Sequence, residues 1–213
     1  MKNCLPYIAF AFCFVALCAC HKGETEVLLA ELDRTIENKP VYRGRFNHRA
    51  DSLRRALRDA GDDTLRWQTA NRLFDAYITY NIDTAARYVA LMYDFARRTG
   101  SRDMRFLSTT CDVSVLIGRN NIEDAYDRIR SLDTAGITRR MRASFYTQQM
   151  VVYGRLASQN TSEVRSRTYA DTLARIRRTR IGFGGHSYVT RQRLLAIDLM
   201  SQQRYDEALG VLL

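Results

Sequence analysis

Apolar residues recur along the chain from residue 27 onward at offsets of three, four and seven positions, with polar residues between them. Such offsets place the apolar side chains on one face of a helix and predict that this face packs in a core. The clearest stripes are Val27, Leu28, Leu32 and Ile36; Ala70, Leu73, Phe74 and Tyr77; Ala85, Tyr88, Val89, Met92 and Phe95; Ile122, Tyr126, Ile129 and Leu132; Met141, Phe145, Val152 and Leu156; and Tyr169, Leu173 and Ile176. No stretch shows the alternation that is typical of a strand, so the pattern predicts an all-α protein.

Turn signals divide the body into segments of roughly twenty residues, which is one helix plus a short connection. They are Gly61, Asn81, Gly100, Gly118 to Asn121, Gly136, Asn160 and Gly182 to Gly185. Capping residues open several segments, and we expect caps at Asp63, Asp83, Ser101 and Ser162. Pro40 is the only proline after residue 6, so little interrupts the predicted helices.

Three segments share the order turn residue, hydrophobe, two polar residues and alanine: 81–85, 121–125 and 204–208. A small residue at the fifth position lets two antiparallel helices approach closely. Two copies are spaced for adjacent helix hairpins, and the gap before the third has room for one further hairpin. The sequence therefore predicts a repeat of helix hairpins with a period of about 40 residues.

This pattern resembles degenerate tetratricopeptide repeats over residues 64–213, most closely at Arg204 to Ala208. The resemblance implies antiparallel helix hairpins stacked into a right-handed solenoid, with a concave face that binds a protein or peptide partner. It also implies a ligand groove on the first helices of the hairpins. The candidate groove residues are Trp67, Phe74, Tyr77, Thr110, Ser114 and Arg193.

The stretch from Leu28 to Ile36 and the tyrosine-rich stretch from Tyr80 to Tyr88 resemble a more specific family. This family comprises membrane-bound regulators of some Gram-negative bacteria, in which an exported repeat sensor precedes a transmembrane helix, a coiled coil and a cytoplasmic output domain. The resemblance implies that the chain is the input part of a signalling or transcription-regulating protein.

The first twenty residues read as an export signal. Lys2 is followed by an uncharged apolar run from Cys4 to Ala19, which is too short for a comfortable membrane span. The ending Leu17-Cys18-Ala19-Cys20 resembles a lipoprotein cleavage site, which implies cleavage after Ala19 and a lipid anchor on Cys20 on the periplasmic side of the cell envelope. An uncleaved signal anchor or a plain signal peptide is the alternative.

These observations predict a signal peptide over 1–19, a tether over 20–26, N-terminal helices over 27–60 and repeats over 61–213. The final residues Ala208 to Leu213 stop inside an apolar helix, and a repeat array normally ends in a polar cap. We therefore expect a truncated array, or an end that docks on another surface.

Charge narrows the choice of partners. Lys and Arg number 33 against 23 Asp and Glu, which gives a formal net charge of +10. The basic residues are spread over all segments, whereas a nucleic-acid site usually concentrates them on one face, so no nucleic-acid partner is predicted. Two clusters, Arg139 to Arg142 and Arg175 to Arg180, fit either solvated helix ends or a contact with an acidic peptide or headgroup.

The sequence offers little for catalysis or metal binding. His21, His48 and His186 have no partner at metal-ligand spacing, and the glycine-rich turn before His186 and Ser187 lacks a phosphate-loop or nucleophile-elbow pattern. Cys111 is the only cysteine after residue 20 and is predicted to be a small core residue. We therefore predict no cofactor, no metal and no enzyme activity.

The prediction for function is a non-enzymatic binding or sensory module, exported and tethered to the membrane. A free-standing lipoprotein that scaffolds an envelope complex is the alternative.

Overall fold

The computed structural model describes residues 23, 25–183 and 188–212. Every regular element in these ranges is a helix. In chain order they are α1 (25–37), α2 (Lys39–Asp59), α3 (Asp63–Tyr77), α4 (Ile82–Thr99), α5 (Arg102–Gly118), α6 (Ile122–Arg130), α7 (Arg139–Gln159), α8 (Glu163–Gly182), α9 (Tyr188–Ser201) and α10 (Tyr205–Leu212). The predicted all-α class is confirmed.

The chain forms two compact units, and the second begins at Leu53 within α2. In the first unit, α1 ends where the Asn38 side-chain amide donates to the Arg34 carbonyl at 2.8 Å. Pro40 lies in the first turn of α2, where its missing N–H costs no helical hydrogen bond. The break between α1 and α2 therefore lies beside Pro40, the only proline after residue 6.

The predicted core stripe in α1 is wrong for the described structure. Val27, Leu28, Leu32 and Ile36 keep between 53% and 67% of their surface exposed. Helical periodicity determines which side of a helix is apolar, but burial requires a second element that packs on that side. Among the described residues no element covers this stripe.

In the second unit the helices pair into four hairpins: α3 with α4, α5 with α6, α7 with α8, and α9 with α10. Successive hairpins contact one another through α4 and α5, through α7 against both α5 and α6, and through α8 and α9. This stack is the predicted tetratricopeptide-like solenoid. Within the described residues, no helix is both long and apolar enough to cross a membrane.

The alanines of the repeated pattern lie where helices meet. Ala85 and Ala125 are fully buried, and Ala208 is 3% exposed. One continuous core then joins neighbouring hairpins, since Val113 of α5, Ile129 of α6 and Val152 of α7 belong to the same buried cluster. The core of the second unit therefore lies between the helices of the stack.

Side-chain caps begin several helices, at positions that differ slightly from the predicted ones. The Asp62 carboxylate, not Asp63, accepts the Leu65 N–H at 2.8 Å at the start of α3. Asn81, not Asp83, accepts the Thr84 N–H at 2.8 Å at the start of α4. Ser101 caps α5 as predicted, whereas Ser162 precedes α8 without a side-chain cap bond. Adjacent polar residues make the exact cap position ambiguous in sequence.

Candidate functional site

A groove runs across the first helices of three successive hairpins, and we call it the first-helix groove. It encloses about 390 Å³. Its walls come from α3, α5 and α7, and the lining residues are Trp67, Asn71, Phe74, Asp75, Ile78, Leu107, Thr110, Cys111, Ser114, Ser144 and Gln148. Because each hairpin presents the same side of its first helix, the stack forms one continuous surface.

Four of the six candidate groove residues lie together in this groove: Trp67, Phe74, Thr110 and Ser114. Trp67 and Phe74 are 7% and 5% exposed, so they form the floor with small exposed edges. The Trp67 indole Nε1–H donates to Ser108 Oγ of α5 at 3.0 Å. This bond fixes the ring and ties the first hairpin to the second.

The structure places the other two candidates elsewhere. Tyr77 is 5% exposed, and its ring stacks on Tyr88 at 5.7 Å while Arg54 lies over it at 5.7 Å. Tyr77 therefore belongs to the packing around α3. Arg193 is exposed on α9 and lines a separate cavity of about 150 Å³ with Tyr188 and Leu212. Helical register alone does not say which turn of a first helix faces the groove.

A row of hydrogen bonds joins the second and third hairpins along the groove. The Gln148 Nε2–H donates to Ser114 Oγ at 2.8 Å. The Ser144 hydroxyl donates to Thr110 Oγ1 at 3.3 Å. These groups lie at i and i+4 on α5 and on α7, so two polar faces meet in register. Between the second and third hairpins, the polar part of the groove wall is therefore built from hydroxyl and amide groups.

Asn71 and Cys111 make the matching contact between the first and second hairpins. The Cys111 thiol donates to Asn71 Oδ1 at 3.6 Å. Burial, with the carboxylates of Asp75 and Asp112 nearby, raises the pKa of Cys111 to about 12. A thiol held in its protonated form is a poor nucleophile. Cys111 was predicted to be a small core residue. It is instead half-buried, and it lines the groove.

Sequence reasoning missed Asn71, Ser144 and Gln148. Asn71 lies four residues after Trp67 on α3, so helical spacing from Trp67 would have found it. Ser144 and Gln148 lie on α7 and hydrogen-bond groove residues of the second hairpin. Nothing in the sequence identified which face of α7 meets α5.

The predicted arginine clusters are partly engaged in packing. The Arg177 guanidinium lies between α8 and α9, 3.8 Å from the Asp198 carboxylate, and both residues are less than 10% exposed. Arg139 donates to the Phe183 carbonyl at 3.3 Å, and Arg142 lies 5.0 Å over the Phe183 ring. These contacts favour a structural role for the residues concerned.

The predicted signal peptide, the predicted lipidation site Cys20, His21, and the pair His186 and Ser187 lie outside the described residues. His48 is exposed on α2. Among the residues that the structure describes, no group of His, Cys, Asp and Glu side chains is placed to hold a metal ion.

The family described as the SusR N-terminal TPR domain, a tetratricopeptide repeat family, matches residues 36–213. No curated protein and no solved structure matches the chain. The matched region contains all four hairpins and the first-helix groove, and covers most of the chain. The chain therefore belongs to the SusR N-terminal TPR domain family.

Proposed function

We propose that this chain is the exported, membrane-tethered input part of a signalling or transcription-regulating protein, and that its first-helix groove binds an extended peptide segment without catalysis. Tetratricopeptide domains generally mediate binding to protein partners, and the matching family describes an N-terminal domain. The observation that carries the proposal is the groove itself, in which polar side chains from three successive first helices line one surface.

The groove offers hydrogen-bonding groups that are still available to a ligand. Asn71 uses its carbonyl oxygen to accept the Cys111 thiol, and Gln148 uses its amide nitrogen to donate to Ser114. In the described part of the chain, the Asn71 Nδ2 group and the Gln148 Oε1 atom have no protein partner. The Asn71 amide nitrogen can donate to a peptide carbonyl, and the Gln148 amide oxygen can accept a hydrogen bond from a peptide N–H.

The length of the groove sets the length of the ligand. Packed helices lie about 8–10 Å apart, so α3, α5 and α7 span roughly 20 Å. An extended chain covers this distance with about six residues. The ring edges of Trp67 and Phe74 offer an apolar contact at the α3 end, which would select an apolar side chain there.

Site-specific photo-crosslinking in the native host tests the groove. A benzophenone side chain is introduced at Gln148 or, as the matched control, at Gln149, a half-buried neighbour that does not line the groove. We expect a peptide adduct from position 148 that is absent or much weaker from position 149. Equal labelling at both positions would refute a groove ligand.

The adduct identifies a peptide whose affinity can then be measured. Fluorescence of Trp67, the single tryptophan, reports binding because its ring forms part of the groove. Asn71→Ala and Gln148→Ala should each weaken binding about three- to tenfold, as expected for one hydrogen bond, and Gln149→Ala should not.

The tether is tested separately. Metabolic labelling with a fatty-acid analogue should modify the wild-type chain and place it in the membrane fraction, and Cys20→Ser should abolish the label. Label that persists in the Cys20→Ser variant would refute lipidation at this residue while leaving the groove proposal intact.

A further inference from the structure

A second and larger cavity lies between α4, α5 and α6, and we call it the arginine cavity. It encloses about 1090 Å³. The charged residues of its lining are Arg97, Arg102, Arg105, Arg128, Asp94 and Asp133. Four arginines but only two acidic residues are among them, so the lining is cationic.

The arginine cavity is distinct from the first-helix groove. The helix α5 contributes Arg102, Arg105, Phe106 and Thr109 to the cavity and Leu107, Thr110, Cys111 and Ser114 to the groove. The two sets have the same spacing with an offset of five residues, which places them about 140° apart around the helix. A ligand in the arginine cavity therefore leaves the groove free.

Three of the four arginines already have acidic partners. Arg97 pairs with Asp94 at 2.9 Å, Arg102 with Asp133 at 2.7 Å, and Arg128 with Asp112 at 2.9 Å. The fourth, Arg105, is exposed, and its guanidinium has no ion pair or hydrogen bond within the part of the chain that the structure describes. Among the described residues, the cavity therefore carries one cation, Arg105, whose charge no neighbouring carboxylate compensates.

Apart from the four arginines and the two aspartates, the wall of the cavity is apolar or neutral. Phe106 is 4% exposed and Leu132 is half-buried, and both line the cavity near the arginines. The Tyr93 hydroxyl donates to Thr109 Oγ1 at 3.2 Å, and burial raises the pKa of Tyr93 above its ordinary value. Tyr93 therefore adds a neutral ring. A planar guanidinium beside apolar surface matches a ligand with an oxyanion on an apolar body.

From this arrangement we propose that the arginine cavity binds a small organic anion, a carboxylate carried on an apolar or ring-shaped body, with Arg105 as the principal contact to the carboxylate. Its body lies against Phe106, Leu132 and the Tyr93 ring. Arg97 and Arg102 can add further contacts, because their pairs with Asp94 and Asp133 are solvent-exposed and such pairs are weak.

Calorimetric titration of the full chain with a matched pair of probes tests this inference. The probes are 2-naphthylacetate and its uncharged analogue 2-naphthylacetamide, which share one ring body. We expect the carboxylate to bind at least tenfold more tightly than the amide, since a charge-assisted bond to arginine distinguishes them. Equal affinity for the two probes would overturn the proposal.

Variants of Arg105 test whether the carboxylate of the probe binds at this residue. Arg105→Gln should weaken 2-naphthylacetate binding by about tenfold or more. Arg105→Lys should lose less affinity than Arg105→Gln, because lysine keeps the positive charge but lacks the two parallel N–H donors of the guanidinium. Arg155→Gln, at an exposed arginine of α7 outside the cavity, makes the same change in net charge and should have little effect. Equal losses for Arg105→Gln and Arg155→Gln would show general charge attraction and refute the site.

A spectroscopic experiment tests whether the probe binds beside Arg105 and whether this site is independent of the first-helix groove. In ¹⁵N-labelled protein, the Arg105 Nε–H resonance, assigned by its absence in Arg105→Gln, should shift as 2-naphthylacetate is added. Gln148→Ala, which alters the first-helix groove, should leave that titration unchanged. A shift that spares Arg105, or one that Gln148→Ala abolishes, would refute the assignment.

Discussion

The bond between Trp67 and Ser108 should be a principal link between the first and second hairpins. Both residues are buried, at 7% and 0% exposure, and the indole N–H donates to Ser108 Oγ at 3.0 Å. Ser108→Ala removes the acceptor and leaves a buried donor without a partner. The local bond from the Ser108 hydroxyl to the Met104 carbonyl at 2.7 Å is lost as well, but this carbonyl lies within α5 and belongs to the helical ladder.

The magnitude follows from two opposing effects. An unpaired buried donor costs about 1–3 kcal/mol. Alanine is a better helix former than serine by about 0.5 kcal/mol, which offsets part of this cost. We therefore expect Ser108→Ala to lower the free energy of unfolding by about 1–2 kcal/mol, or the melting temperature by about 3–6 °C for a chain of this size.

Urea unfolding followed by circular dichroism measures this loss without relying on tryptophan fluorescence. In a Trp67→Phe background the donor is already gone, so Ser108→Ala should cost about 0.5 kcal/mol or less. The double-mutant cycle should thus give a coupling of about 0.5–2 kcal/mol. Ser158→Ala is a matched control, because its hydroxyl donates only to the Arg155 carbonyl of its own helix at 3.1 Å. A loss equal to that of Ser158→Ala, or a coupling near zero, would refute the reasoning.

Three further predictions concern buried or paired ionisable groups. Asp198→Ala should lower the free energy of unfolding by about 2–3 kcal/mol, measured by urea unfolding, because it leaves the buried Arg177 guanidinium without its carboxylate. At pH 8 the Cys111 thiol, with its pKa raised to about 12, should react with iodoacetamide about a thousandfold more slowly in the native protein than in urea, as followed by mass spectrometry of its peptide. Burial alone would raise the pKa of Asp63, but hydrogen bonds from Arg66 and Arg98 lower it, so its carboxylate should stabilise the fold above the unfolded pKa and lose this effect as pH falls through the folded one. Urea midpoints measured from pH 5 to pH 2 should therefore fall less in Asp63→Asn than in wild type.

Each of these predictions has a control. Glu163→Ala breaks an exposed pair with Arg167 and should change stability by only about 0.5 kcal/mol, so an equal loss for Asp198→Ala would contradict the buried-pair argument. Native and unfolded Cys111 reacting at similar rates would contradict a protonated, protected thiol. Parallel acid profiles for wild type and Asp63→Asn would show that this carboxylate contributes nothing that depends on pH.

Much of the fold could be predicted because helices and their hairpins depend on local pattern. The stripe from Ala70 to Tyr77 is buried as expected, and the alanines of the repeated segments lie at helix contacts. The burial predicted for the stripe in α1 was wrong, because no element among the described residues packs on that side of the helix. The caps at Asp62 and Asn81 differed by one or two positions, since neighbouring polar residues can serve the same N–H groups.

The candidate site was predicted less completely, for a different reason. The resemblance to tetratricopeptide repeats indicated the first helices, and four of its six groove residues lie together. Asn71 and Gln148 were missed, and Tyr77 is part of the packing around α3. Their roles depend on how far each helix is rotated about its axis, and a few tens of degrees move a side chain from a groove to a core.

The sequence by itself determined the helical class, the hairpin repeat and the net positive charge, because periodicity, turn residues and composition are local properties. Only the tertiary structure decided which polar groups meet. Ser114 and Gln148 are 34 residues apart, and Asn71 and Cys111 are 40 apart, yet each pair forms a hydrogen bond between stacked hairpins. The same packing left Arg105 without an acidic partner in the described chain. Such contacts depend on the rotation and spacing of helices that are distant in sequence, and those are determined by the packing of the whole stack.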